Sequence, residues 1–307
     1  MFQSHQFYAM GCQQQLIVEG SPDQSPASLA LAVQQITHWK ASLSRFRADS
    51  ELNQLNQRAG TGWVVVSATL WMALRVAVWA ARFSDGLVSP TVLPALEAAG
   101  YDRDFAAVLD QPATDTTAAP VADWRAIQFD RQRRAVLLPA DMRLDLAGTV
   151  KGWAADRIAR QLGRDGAALV DLGGDIAVSG PQADGTPWPI ALADPTDPSA
   201  ELDLVMLSKG GIATSGRDWR RWQQGTHERH HIIDPRTGAP AATDLLSVTI
   251  IGPSALRAEV AAKQVLILGR KAGLRWLLAH PVLAGLLVDQ EGLVIRTANF
   301  EPYRYQA

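Results

Sequence analysis

Strand-length apolar runs in this chain are joined mostly by turns too short to hold a helix. Ile127 to Phe129 and Ala135 to Leu138 flank a turn at Asp130 to Arg134, and Ala168 to Leu172 and Ile176 to Ser179 flank Gly173-Gly174-Asp175. A short turn sends the next strand back antiparallel, whereas parallel neighbours need a crossover of about a dozen residues or more. The chain therefore reads as α+β, with mostly antiparallel sheets and packed helices, and not as a doubly wound parallel sheet.

Further strands are expected at Leu16 to Val18, Trp63 to Val66, Ile190 to Ala193, Leu202 to Leu207, His231 to Ile233 and Leu246 to Ile251. Helical spacing of Leu29, Val33, Ile36 and Leu43 predicts a helix that Ser25 caps, with Pro26 at its first position, and that ends near Ser44. Asp49 or Ser50 can cap a short helix. Ser67 can cap an alanine-rich helix that Asp85-Gly86 stops after Phe83. Helices are also expected from Lys151 to Gly163, from Ser254 to Leu268 and around Gly273 to His280, with a closing hairpin at Asp289 to Gly292. The 307 residues read as one domain, or as two intimate halves, with an exposed excursion at 103–123 where QPATDTTAAPVAD loses periodicity.

Charge excludes some partners. Lys+Arg number 29 against Asp+Glu 31, a net of −2, so no global basic field exists to hold nucleic acid. The single cysteine, Cys12, can form neither an internal disulfide nor, by itself, a structural zinc site. No apolar run approaches the ~20 residues that span a bilayer. The start MFQSHQFYAMGCQQQ lacks the basic segment and apolar core of a signal peptide, so no membrane insertion and a cytoplasmic location are expected.

Chemistry is concentrated between Ile212 and Pro240, where a small-residue turn at Thr214 to Gly216, cations at Arg217 to Arg221 and the run HHIIDPRTG suggest a site for phosphates. On a strand, His231 and Ile233 would share one face and His230 and Ile232 the other. One histidine could then act as a base near neutrality, and the alternative is a surface pair beside a turn. Trp219 and Trp222, three apart, read as the core-facing side of a helix. The junction DLAGTVKG (Asp145 to Gly152), taken as a strand end meeting a helix start, could bring amide donors and Lys151 to a phosphate; a plain capped helix start is the other reading.

These pieces stand in a particular order. Met10-Gly11, LSRFRADSELNQLN, DGLVSPTVLPALEAAGYD, DLAGTVKGWAADRIARQL, ALVDLGGDIAVSG, IATSGRDWR, HIIDPRTGAP and SVTIIGPSALRAEVAAKQVLILG together resemble the FAD:protein FMN transferases of the ApbE family over nearly the whole chain. The resemblance implies an α+β fold with FAD in a central cleft and Mg²⁺ at the site. It implies transfer of FMN from FAD onto a Thr or Ser of an acceptor flavoprotein, with release of AMP. Phe46 would pack on the flavin, and Met10, Leu87, Val88, Ser89, Asp145, Lys151 and Ile232 would line the FAD site. His231 would be the catalytic base, and the Gly148 carbonyl would help to hold Mg²⁺.

The chain departs from the family at the metal-site helix. Glu259 and Lys263 stand where the family has Asp and Thr. In one reading they are an ordinary i,i+4 helix pair; in the other, the Lys263 ammonium takes the position of the cation, with Glu259 as a residual metal ligand the remaining possibility. A weakened FAD-binding protein and a pyrophosphatase giving FMN and AMP are the alternatives to the transferase.

Overall fold

A computed structural model describes residues 1–20, 25–108, 118–197 and 199–306. The chain divides into two compact units, one of residues 1–36, 151–218 and 243–307 and one of residues 37–150 and 219–242. Among the described residues no helix is long and apolar enough to cross a membrane.

The first unit is built on an eight-stranded sheet. Its strands lie in the spatial order Phe2–Ala9, Cys12–Gly20, Gly166–Asp171, Ile176–Val178, Gly210–Gly216, Leu245–Gly252, Ala284–Asp289 and Val294–Arg296. Every neighbouring pair is antiparallel, including those whose connections are long. The interior strand Leu245–Gly252 is buried almost throughout, which fits its largely apolar LLSVTIIG sequence. On one face a ribbon of Trp188–Ala193 and Glu201–Leu207 closes a core of Leu169, Ile212, Ile251, Leu286, Val205 and Phe300.

The long helix Ala255–Leu278 packs on the strands Gly210–Gly216 and Leu245–Gly252. Ser254 caps it, and the Asp156 carboxylate accepts from the Ala255 and Leu256 amides at 2.8 and 3.1 Å, so orphan donors of its first turn are satisfied from a second helix, Val150–Leu162. Gly269 (φ 75°) breaks the long helix, close to where the sequence separates two helices, and Asp244 accepts from the freed Arg270 amide at 2.8 Å.

The second unit carries the helices Glu51–Gln57, Ala68–Phe83, Leu93–Ala98 and Phe105–Val108, and a small sheet in which Ala135–Leu137 pairs with Val64–Val65 and Gln128–Asp130. Ser50 and Ser67 cap their helices as expected. The helix Ser25–Leu43 contributes residues up to Ile36 to the first unit and the remainder to the second.

Several expectations are corrected. The first strand is Phe2–Ala9, an edge strand whose polar, mostly exposed sequence has no apolar signature. Ser25 lies within its helix, and the residue before it lies outside the described residues. Thr214 to Gly216 are strand, not turn. Trp219 and Trp222 do not share a helix: Arg221–Gln224 pairs with His227–His230 as a hairpin, Trp222 is buried, and Trp219 is 74% exposed. Of the expected excursion, 109–117 lies outside the described residues; around it, buried Val108 and half-buried Phe105, Ala119 and Val121 pack with Tyr101 and Trp222.

A Cβ at Gly211 would overlap the backbone nitrogen and Cα of Ala255, so the strand and the helix start touch only because this residue is glycine. Gly211→Ala is expected to lower stability by about 1–3 kcal/mol, the range for overpacked sites. Urea unfolding of the two proteins side by side measures it.

Candidate active site

In the second unit the segment before Asp145 is irregular backbone, not a strand end, and it is clamped from two sides. Buried Asn56 donates to the Leu144 carbonyl at 3.0 Å and accepts from its amide at 2.8 Å, while the Asp145 amide donates to the Pro90 carbonyl at 2.8 Å. Asp145 is thereby delivered to Arg45. Arg45 Nε lies 3.0 Å from Asp145 Oδ2, with the two side chains 4% and 7% exposed, and Arg45 Nη1 donates to the Tyr101 carbonyl at 2.7 Å. The guanidinium also lies 4.1 Å from the centroid of the Phe46 ring and 4.4 Å from that of Tyr101. Phe46 itself is 41% exposed, an aromatic face held by a buried cation. Burial raises the Tyr101 phenol above its ordinary value, more than the nearby Arg220 and Arg45 charges lower it.

Leu87, Val88 and Ile232 are buried. Ser89 is buried with its hydroxyl 2.7 Å from that of Thr91, which donates to the Ala122 carbonyl at 2.6 Å. Gly148 sits half-buried in the turn before the helix Val150–Leu162.

The histidine pair does not alternate across a strand, because the strand ends at His230 and the chain bends at His231. His230 is buried; its Nδ1 accepts from the Ile232 amide at 3.3 Å, which assigns the proton to Nε2, 3.1 Å from the Ala241 carbonyl. His231 is half-buried and donates its backbone amide to the Arg220 carbonyl at 3.3 Å.

In the first unit, Met10 and Gly11, both with positive φ (54° and 75°), form the two-residue turn between the first two strands. Cys12 beyond it packs against Gly173, where a Cβ would collide with its sulfur. Two residues on, Asp175 is 2% exposed and accepts from Lys151, at the start of the helix Val150–Leu162. The next residue, Gly152, donates its amide to Glu259 Oε2 at 2.9 Å, and Lys263 donates to Glu259 Oε1 at 3.1 Å.

Burial pulls the Lys151 amine down, but the Asp175 and Glu259 carboxylates more than offset it and hold the ammonium above its ordinary value. Burial raises the Glu259 carboxyl, with Asp175 adding to the rise and Lys263 opposing it. Asp171 is raised chiefly by burial as well, although the Gly174 amide donates to it at 2.7 Å.

The donor set is not that of an open divalent-cation site. Both Glu259 oxygens are engaged, one by an ammonium, and among the described residues no three His, Cys, Asp or Glu side chains group to hold a metal ion. Nor is the pair with Lys263 an ordinary surface pair, since the Glu259 side chain is fully buried. Sequence reasoning did not single out Arg45, Tyr101, Asp156 or Asp175. The available signal for Asp175 was an acid directly after two glycines between apolar strands, a position where a charged side chain must find a partner or lie in solvent.

Together these clusters define an α+β protein in which two anchored ammonium groups lie in one unit and a half-exposed aromatic ring backed by an arginine lies in the other. The model of the ApbE family matches residues 10–287. Similar relatives include the FAD:protein FMN transferase of Treponema pallidum, 32% identical over 84% of this chain and 75% of its own, and that of Salmonella typhimurium, 31% identical over 83% and 75%. The solved ApbE protein of Thermotoga maritima superposes with a TM-score of 0.86 at 24% identity, covering 100% of both chains. The flavin transferase ApbE of Vibrio cholerae gives 0.82 at 22% identity, covering 99% of each. The chain belongs to the ApbE family.

Two stability predictions follow from the geometry. Asp145→Ala leaves the Arg45 guanidinium buried without its counter-charge and is expected to cost roughly 3–5 kcal/mol in chemical unfolding. Because the folded Glu259 pKa is raised, its stabilising contribution is complete below the unfolded value of 4.5 and is lost as pH rises through the folded value. The stability of Glu259→Gln relative to the parent should therefore improve as pH is raised from about 4.5 and then level off. Urea titrations across that window measure it, and a difference that does not change with pH would contradict the assignment.

Proposed function

We propose that this chain is an FAD:protein FMN transferase, moving FMN from FAD onto a Thr or Ser hydroxyl of an acceptor protein and releasing AMP. The observation that carries the reading is the family match over residues 10–287, joined to relatives of that name at 31% and 32% identity. In this reading Phe46 packs on the flavin, and Met10, Leu87, Val88, Ser89 and Ile232 line the dinucleotide. The exposed face of Phe46 and its fixed orientation beside Arg45 support that role.

The reaction forms one P–O bond and breaks another. The acceptor oxygen attacks the phosphorus on the FMN side, the bridging oxygen leaves with AMP, and the hydroxyl proton passes to the base. His231 is assigned that base, supported by the greater exposure of this residue compared with His230, whose ring is engaged with the backbone. Lys151, kept protonated by Asp175 and Glu259, draws negative charge from the phosphates. Asp145, committed to Arg45, acts through the aromatic ring as a positioning residue.

Incubation with FAD and a candidate acceptor, read by mass spectrometry, is expected to yield AMP and an FMN increment on the acceptor. AMP with free FMN indicates hydrolysis, and retained FAD with neither product indicates a binding protein. His231→Ala should lower transfer roughly 10²–10⁴-fold while FAD affinity is kept. Unchanged transfer would remove His231 from the chemistry.

A further inference from the structure

In two ion pairs of the first unit the anion lies inside and the cation further out. The Asp175 and Glu259 side chains are 2% and 0% exposed, whereas those of their partners Lys151 and Lys263 are 21% and 18% exposed. Each carboxylate anchors its ammonium, and each lysine side chain keeps part of its surface exposed. The two pairs are one cluster: the Gly152 amide, next to Lys151, donates to the same Glu259 carboxylate that accepts from Lys263. The 13-residue helix Val150–Leu162 starts at this point, adding the partial positive charge of its N-terminus.

Cleavage of a dinucleotide pyrophosphate needs positive charge on the phosphate oxygens, which a bound divalent ion commonly supplies. A divalent ion requires several oxygen ligands, and the Glu259 carboxylate is already committed on both oxygens, one of them to an ammonium whose charge would repel the ion. We propose that the Lys263 ammonium, anchored on buried Glu259 and joined through it to the Lys151–Gly152 segment, is the fixed cation of a pyrophosphate-binding site, so that this chain binds FAD without a divalent metal ion. The inference rests on the FAD-dependent reading above. One ammonium carries half the charge of a divalent ion and cannot bridge two phosphate oxygens as rigidly, so transfer is slow and insensitive to chelation.

The test is FAD affinity, read by quenching of flavin fluorescence on the full chain, in chelator and again with added Mg²⁺. Equal affinity in the two conditions is expected. Lys263→Met, which keeps the aliphatic stem, should weaken metal-free binding roughly ten- to a hundredfold, the worth of a charge-assisted hydrogen bond, and Lys263→Arg should restore most of it. Lys263→Thr, which frees one Glu259 oxygen, should make binding stimulated by Mg²⁺. Parent protein that binds FAD only with Mg²⁺, or a Lys263→Met protein that binds as tightly as the parent in chelator, overturns the proposal and leaves the transferase reading standing. No FAD binding in either condition overturns both. The parent titrations do not depend on any variant folding.

Discussion

The placement of the lysine cluster depends on one close helix contact. At Gly152 the helix Val150–Leu162 meets the start of the helix Ala255–Leu278 so tightly that a Cβ would lie 2.8 Å from the Ala255 carbonyl oxygen, the Leu256 Cα and Glu259 Oε2. Asp156, four residues on and so on the same face, accepts from the Ala255 and Leu256 amides. On another side Gly211 admits the same helix start against the sheet. With Ala255 held by three neighbours, Glu259 is fixed one turn later and Lys263 one turn beyond that, and Lys151 is fixed by its bond to Gly152.

Such a cluster is not explained by stability. Burial raises the pKa values of Asp156, Asp171 and Glu259, so each carboxylate is held in the folded state against its own desolvation. Buried ion pairs are frequently no more stabilising than apolar residues of the same volume. What the arrangement does secure is position: an ammonium attached to a buried, hydrogen-bonded carboxylate has lost most of its freedom before any ligand arrives. Perturbed acids beside cations occur both at functional sites and in structural ion-pair networks.

The parts of the fold legible in the sequence were those with a strong local signal. The caps at Ser50 and Ser67, the break at Gly269 and the antiparallel pairing of strands joined by short turns all follow from residue chemistry that acts within a few positions. Misreadings occurred where tertiary packing decides. Phe2–Ala9 has one edge in solvent and needs little apolar surface. Trp219 and Trp222 have helical spacing by coincidence, and a hairpin turn at Gly225 (φ 60°) separates two short strands instead. Lys151, Glu259 and Lys263 could be named from motif order, but neither the burial of Glu259 nor its use of both oxygens is encoded in their spacing.

Asp145 is a motif residue whose carboxylate is committed within the fold. Its sequence context invites a direct ligand contact, yet Oδ2 is paired with Arg45 and Oδ1 accepts from the Ala147 amide at 2.6 Å. The residue that converts this carboxylate into a scaffold is Arg45, one position before Phe46 in the sequence. A guanidinium is flat, permanently charged and weakly hydrated, so it can lie against two rings while its edge meets a carboxylate. A lysine in its place could keep the charge but not that planar contact with Phe46 and Tyr101. The orientation of the exposed ring therefore depends on a buried charge pair, just as Lys263 depends on Glu259, and in both units buried acids fix the groups that remain accessible.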